Sequence, residues 1–191
     1  MPSPRIPKDD LDGVYFVTMT TIDWIDIFTN TDYFNLLKDT LQFSIDHKGL
    51  LLYEYVFMTN HIHLIVGKKQ SGKHLSEIIG EFKSWTTNTM REMLVKDKRS
   101  YLQKLIQYSK SKKAGYEFQI WQQQNWPEYI SSDTFRNEKI QYIWYNPVKK
   151  GYVAKPEDWL YGSAKQRLLN LPGKHPDVMI PCADWNGQDG T

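Results

Sequence analysis

The sequence predicts an α+β fold in which helices pack on a four-stranded antiparallel sheet. Two observations carry that expectation. Apolar patterning runs strand, helix, strand, strand, helix, strand along the chain. The two middle strands are parted by Thr59-Asn60 alone, a spacer short enough for a tight turn or bulge between hairpin partners. At 191 residues, 40% of them hydrophobic, the chain suits one domain with a sizeable core.

Each element has its own reason. Residues 1–13 are Pro-rich and polar and read as a loosely held arm. Val14 to Thr21 is rich in β-branched and aromatic residues, as a strand requires. Thr29-Asn30-Thr31-Asp32 offers cap residues for a helix over 33–47, where Phe34, Leu37, Leu41 and Ile45 recur at helical spacing and Gly49 supplies a stop. Leu50–Met58 and His61–Val66 follow as strands. Leu75, Ile78, Ile79, Phe82 and Trp85 then mark an amphipathic helix to about residue 94.

Phe118-Gln119-Ile120-Trp121 reads as the fourth strand. Ser131-Ser132-Asp133 caps a last helix over 134–145, which Asn146-Pro147 is expected to end because a residue before proline avoids helical geometry. This is the order of a ferredoxin-like sandwich with an added C-terminal helix. The expected domain spans 14–170, with 95–116 as a basic insertion and 171–191 as an irregular tail carrying Pro172, Pro176 and Pro181.

Composition narrows the function classes. The single Cys182 excludes an internal disulfide and fits a reducing compartment. The N-terminal residues lack the apolar run of a signal peptide, and nothing approaches a membrane span, so a cytoplasmic, nucleoid-associated protein without a membrane partner is expected. Net charge is only +2, so the distribution of charge matters more than its total. Between Lys96 and Lys113, Lys96, Lys98, Arg99, Lys104, Lys110, Lys112 and Lys113 face Asp97 alone. The bland account is a solvated, mobile insertion. With Tyr101 and Tyr108 interleaved, the stretch also suits stacking on bases while its cations meet phosphates.

The chemistry centres on His61-Ile62-His63. Side chains two apart on a strand share a face, their Cα atoms about 6.5 to 7 Å apart, so both imidazoles can converge on one ion while Ile62 is buried on the other side. A zinc site needs three or four protein ligands and no third His or Cys is nearby, so a hydrogen-bonded histidine pair is the competing account. Gly67 to Lys73 matches the G-x-x-x-x-G-K pattern, but His74 stands where a magnesium-binding Ser or Thr belongs. A Lys/Gly-rich turn is the better reading, and no nucleotide cofactor is expected. In the last helix Tyr142 and Asn146 lie one turn apart. A phenol is a weak nucleophile unless activated, and packing on the sheet is the alternative role for Tyr142.

Taken in order, these pieces resemble the single-tyrosine HUH transposases (transposase IS200-like), and among them the REP-associated tyrosine transposases. The matching stretches are Met58 to Val66, Phe82 to Thr87, Trp121-Gln122, Tyr142 to Val153 and Pro156 to Ala164. The resemblance implies a metal-dependent endonuclease and strand transferase acting on single-stranded DNA, at hairpin-associated sites. His61 and His63 would hold Mg²⁺ or Mn²⁺, with Asn146 as a third ligand. Imidazole donors favour Mn²⁺ over the harder Mg²⁺. Tyr142 would be the nucleophile, forming a 5′-phosphotyrosine link, with Tyr145 its competitor. Lys83, Lys149 and Lys150 would meet the nucleic acid. Asn146 replaces the longer Gln often found there, and Lys149-Lys150-Gly151-Tyr152 replaces the usual Arg-Ala-Gly-Leu. Relatives include homodimers with shared active sites, which leaves cis or trans action open. The alternative is a domesticated DNA-binding module that keeps the fold without catalysis.

Overall fold

The computed structural model describes residues 6–7, 13–111 and 118–185. Most of the expected N-terminal arm, Lys112 and Lys113 lie outside these, as do residues 186–191. Strand β1 (Tyr15–Thr20) leads through a short 3₁₀ turn, Ile22–Trp24, to helix α1 (Thr31–Lys48). Strands β2 (Leu50–Phe57) and β3 (His61–Lys68) precede helix α2 (Leu75–Lys96). With the short β4 (Glu128–Tyr129), sheet order is β2-β3-β1-β4, every pairing antiparallel, which is the ferredoxin-like arrangement with the histidine strand inside the sheet.

Alternation along the strands assigns the two faces. Tyr15, Val17 and Met19 of β1 join Ile62, Leu64 and Val66 of β3 in a large core shared with Phe34, Leu37 and Leu41 of α1 and Ile78, Ile79 and Phe82 of α2. Phe16 and Ile65 face the other way, with Val56 and Met58, against Ile143 of α4 (Asp133–Lys149). On β2 the register shifts between Leu52 and Glu54, so Tyr53 is the extra residue of a bulge. That shift changes the parity: Leu50 and Leu52 face α1 and α2 before it, Tyr55 and Phe57 after it.

The caps follow the sequence. Asn30 accepts from the Tyr33 N–H at the start of α1, and Gly49 ends it in left-handed geometry at φ 77°. A Cβ on Gly49 would also lie 2.7 Å from Gly72 Cα, so only glycine fits this crossing. Gly67–Lys73 joins an antiparallel strand to a helix, and Lys73 pairs with Glu81 at 2.6 Å.

Four expectations need correction. The fourth strand is not at 118–121: β4 is Glu128–Tyr129, and Trp121 makes only a single bridge, to Thr21. Ile120 and Trp121 are buried at one end of β1, and the chain then follows that edge irregularly, Thr18 donating to the Asn125 carbonyl, before regular pairing begins at Glu128. Burial, not pairing length, produced the apolar signal there.

Helix α4 runs through Pro147 to Lys149 instead of ending at Asn146. The expected stop comes four residues later. Gly151, at φ 73°, donates to the Val148 carbonyl and Tyr152 donates to that of Pro147, a Schellman closure.

The basic stretch contains a helix, α3 (Ser100–Ser111), whose Leu102 and Ile106 sit one turn apart and are buried. Of its aromatics Tyr101 is exposed; the side chains of Tyr108 and Lys110 lie outside the described residues.

The remainder after Pro147, where Pro156, Pro172, Pro176 and Pro181 point to irregular structure, is more ordered than they suggest. It holds a 3₁₀ turn at Pro156–Asp158 and helix α5 (Ala164–Leu168), and then runs along β2, where Ala183 donates to the Leu52 carbonyl. Buried Glu54 ties these parts together. It accepts from Arg167 Nε at 3.0 Å, Trp144 Nε1 at 2.9 Å and Ser163 Oγ at 2.5 Å. Burial pushes its carboxyl up, while Ser163, Arg167 and Trp144 pull it back. Among the described residues no helix is long and apolar enough to cross a membrane.

Candidate active site

His61 and His63 lie on the α4 side of the sheet, opposite the main core, and each is only 4% exposed. Their ring centroids are 4.8 Å apart. Strand pairing sets Thr18 directly across from His63, and its hydroxyl meets His63 Nδ1 at 2.8 Å. Phe16 stacks on the same ring at 5.3 Å. His61 Nδ1 lies 2.7 Å from the Asn60 amide oxygen, and the orientation of that amide follows from its Nδ2, which donates to the Trp24 carbonyl. An amide oxygen only accepts, so His61 carries its proton on Nδ1 and turns a lone pair outward on Nε2.

Burial pushes the His61 pKa down to about 4, against a partial rise from Asn146. Burial also holds His63 well below the usual range, helped by the charges of His61 and Lys139. Both rings are therefore neutral near pH 7. Among the described residues two buried side-chain atoms find no hydrogen-bond partner: His63 Nε2 and Asn146 Oδ1. A buried ring nitrogen and a buried amide oxygen left without partners are a poor arrangement for a hydrogen-bonded pair and a good one for a cation. Among the described residues no group of three or more His, Cys, Asp or Glu could hold a metal, so the candidate donor set is two imidazoles and one amide oxygen.

Helix α4 supplies the rest. Asn146 is buried, and Tyr142, one turn before it, is 42% exposed with its ring 5.0 Å from that of His63 and 5.9 Å from Phe16. The ammonium of Lys149 lies 5.6 Å over the Tyr142 ring. Tyr142, Tyr145 and Lys149 share an open groove along the helix with Thr134, Asn137, Glu138 and Gln141. Tyr145 is equally exposed but makes no ring contact with either histidine. Lys150 is exposed at the helix end, and its charge is felt at His61.

Lys83 is placed differently. Its ammonium donates to the carbonyls of Gln122 and Gln123 and to Asn125 Oδ1 at 2.8 Å, and burial lowers its pKa to about 8. It therefore anchors the 122–125 segment instead of facing outward. Thr18, Asn60 and Lys139 escaped the sequence reading. Pairing the first strand antiparallel to the histidine strand would have found Thr18, since Thr18 and Thr20 alternate onto the face that His61 and His63 occupy.

Against known proteins, residues 14–133 match the family model described as "Transposase IS200 like", well over half of the 191 residues. The chain belongs to that family. Its members cleave and rejoin DNA. The matched span includes the histidine strand and stops at the first residue of α4. Along 92% of its length the IS200-like chain is 28% identical to a Haemophilus influenzae protein, 88% of which is covered, whose provisional name is REP-associated tyrosine transposase. Its fold is also similar to that of a REP-associated tyrosine transposase solved with a REP hairpin, at TM-score 0.63 and 18% identity over 93% of this chain and 90% of that one.

Proposed function

We propose that the chain is a metal-dependent single-strand DNA endonuclease and strand transferase that works through a tyrosine–DNA link. One observation carries this: the exposed Tyr142 ring lies 5.0 Å from His63, beside the unpartnered His63 Nε2 and Asn146 Oδ1. In this reading His61 Nε2, His63 Nε2 and Asn146 Oδ1 are the donors for Mn²⁺ or Mg²⁺. When bound, the ion would neutralise charge on a phosphodiester and assist departure of its oxygen. The Nε2 lone pair of His63 requires that its Nδ1–H donate to Thr18, so Thr18 orients the ring.

Tyr142 Oη attacks the phosphorus, forming a 5′-phosphotyrosine bond as the bond to the 3′-oxygen breaks and that oxygen leaves as a hydroxyl. Attack by the same or another 3′-hydroxyl reverses the step, so rejoining needs no nucleotide. Lys149 and Lys150 bring positive charge to the groove, while Lys83 acts through the segment it anchors. The related structure solved with a REP hairpin supports hairpin-bearing single strands as the substrate class.

The test is a denaturing gel after incubation with hairpin-bearing single-stranded DNA and Mn²⁺. A covalent adduct is expected, lost in Tyr142→Phe and with chelator, and kept in Tyr145→Phe. An adduct surviving Tyr142→Phe would overturn the nucleophile, and one indifferent to chelator would overturn the metal. Binding without any adduct would favour the domesticated DNA-binding module.

A further inference from the structure

Trp24 stands at the mouth of the histidine site in a conformation that needs a reason. It is 58% exposed, and its ring centroid lies 5.9 Å from that of His61 at a steep 65° angle, so at least one indole face is left uncovered by His61. Both Asp23 and Trp24 have left-handed backbones, at φ 48° and 57°, a region that non-glycine residues seldom enter and two in succession still less often. The turn is held there from several sides. Trp24 N–H donates to the Thr21 carbonyl, Thr21 Oγ1 lies within hydrogen-bond reach of the Ile25 and Asn60 carbonyls, and Asn60 Nδ2 donates to the Trp24 carbonyl.

The same Asn60 amide accepts from His61 through its oxygen. One side chain therefore fixes both the imidazole and the backbone of the indole, and the two rings keep a set relation. A tryptophan that is more than half exposed, held in a strained turn with its ring against a site residue, is a poor use of an aromatic unless a ligand covers it.

Resting on the reading that the histidine edge takes a DNA phosphate, we propose that Trp24 is a stacking platform for an unpaired nucleobase next to that phosphate. The hydroxyl of Tyr152 lies 3.1 Å from Thr59 Oγ1, beside Asn60, and the charge of Lys150 reaches His61 and is available to the backbone. Stacking on an aromatic face is tolerant of base identity, so Trp24 would grip and orient the strand whichever base occupies it.

The experiment measures binding of the full chain, in chelator to prevent cleavage, to hairpin oligonucleotides whose single-stranded flanks carry one abasic site at successive positions. Trp24→Ala should weaken binding to the intact oligonucleotide by about ten- to a hundredfold. One abasic position should cost the wild-type protein a similar factor and cost Trp24→Ala nothing more, while Trp24→Phe keeps most of the affinity. Trp24→Gly suits the left-handed backbone and should fold at least as well as wild type yet bind like Trp24→Ala. Variants that bind intact DNA as wild type does, while the Tyr142 adduct still forms, would overturn this inference alone. The same loss at every abasic position would assign Trp24 a purely structural part. A wild-type protein that binds no single-stranded DNA would overturn the proposed function with it.

Discussion

Lowering the pH of the metal-free protein from 7 to 5 is expected to cost it about 2 kcal/mol through His61 alone. The unfolded chain protonates this imidazole near 6.5, but burial delays that to about 4 in the folded protein. Between those values the unfolded state binds more protons, so stability is full above about pH 6.5 and falls as the pH drops toward 4. At about 1.36 kcal/mol per pH unit the ceiling is about 3 kcal/mol, most of it spent by pH 5. His63, held lower by the same burial, adds to the fall in the same direction. Urea unfolding in chelator at successive pH values reads this directly. The window matters, because Glu81, held at about 2 by hydrogen bonds from Lys48 and Lys73, loses its contribution only in more acid solution. A His61→Gln/His63→Gln variant should flatten the profile between pH 7 and 5. A flat wild-type profile, or an equal fall in the double variant, would refute the reasoning.

Other outcomes follow from particular contacts. Arg167→Met strands the buried Glu54 carboxylate and should destabilise the fold by about 3 to 5 kcal/mol in denaturant titration. Thr18→Val removes the partner of His63 Nδ1 and should weaken Mn²⁺ binding about 10- to 100-fold by calorimetry without unfolding the protein. Lys83→Met should leave the salt dependence of DNA binding unchanged, because its ammonium is engaged within the chain, whereas Lys149→Ala should lower the slope by about 1. Gly49→Ala should cost at least about 1 kcal/mol, since the new methyl meets Gly72 in a backbone geometry that alanine avoids.

The order of the elements from β1 to α2 and the shared face of His61 and His63 were legible in the sequence because both are short-range properties. A strand has a period of two, and a helix shows its apolar spacing within a few turns. The turn residues were legible for the same reason: Asn30 and Gly49 act on the backbone beside them. Three things were decided only by tertiary structure. Trp121 looks like strand because it is buried, and only its position at the end of β1 shows that a single bridge holds it. Pro147 reads as a terminator, yet its missing N–H costs one bond in a helix whose packing and Schellman closure carry it on to Lys149. Lys83 reads as a free cation until the 122–125 segment, some 40 residues away, folds over it. The site itself divides in the same way. Its two histidines come from one strand, but their neutrality, the stranded Asn146 oxygen and the approach of Tyr142 exist only once α4 lies across the sheet and excludes water.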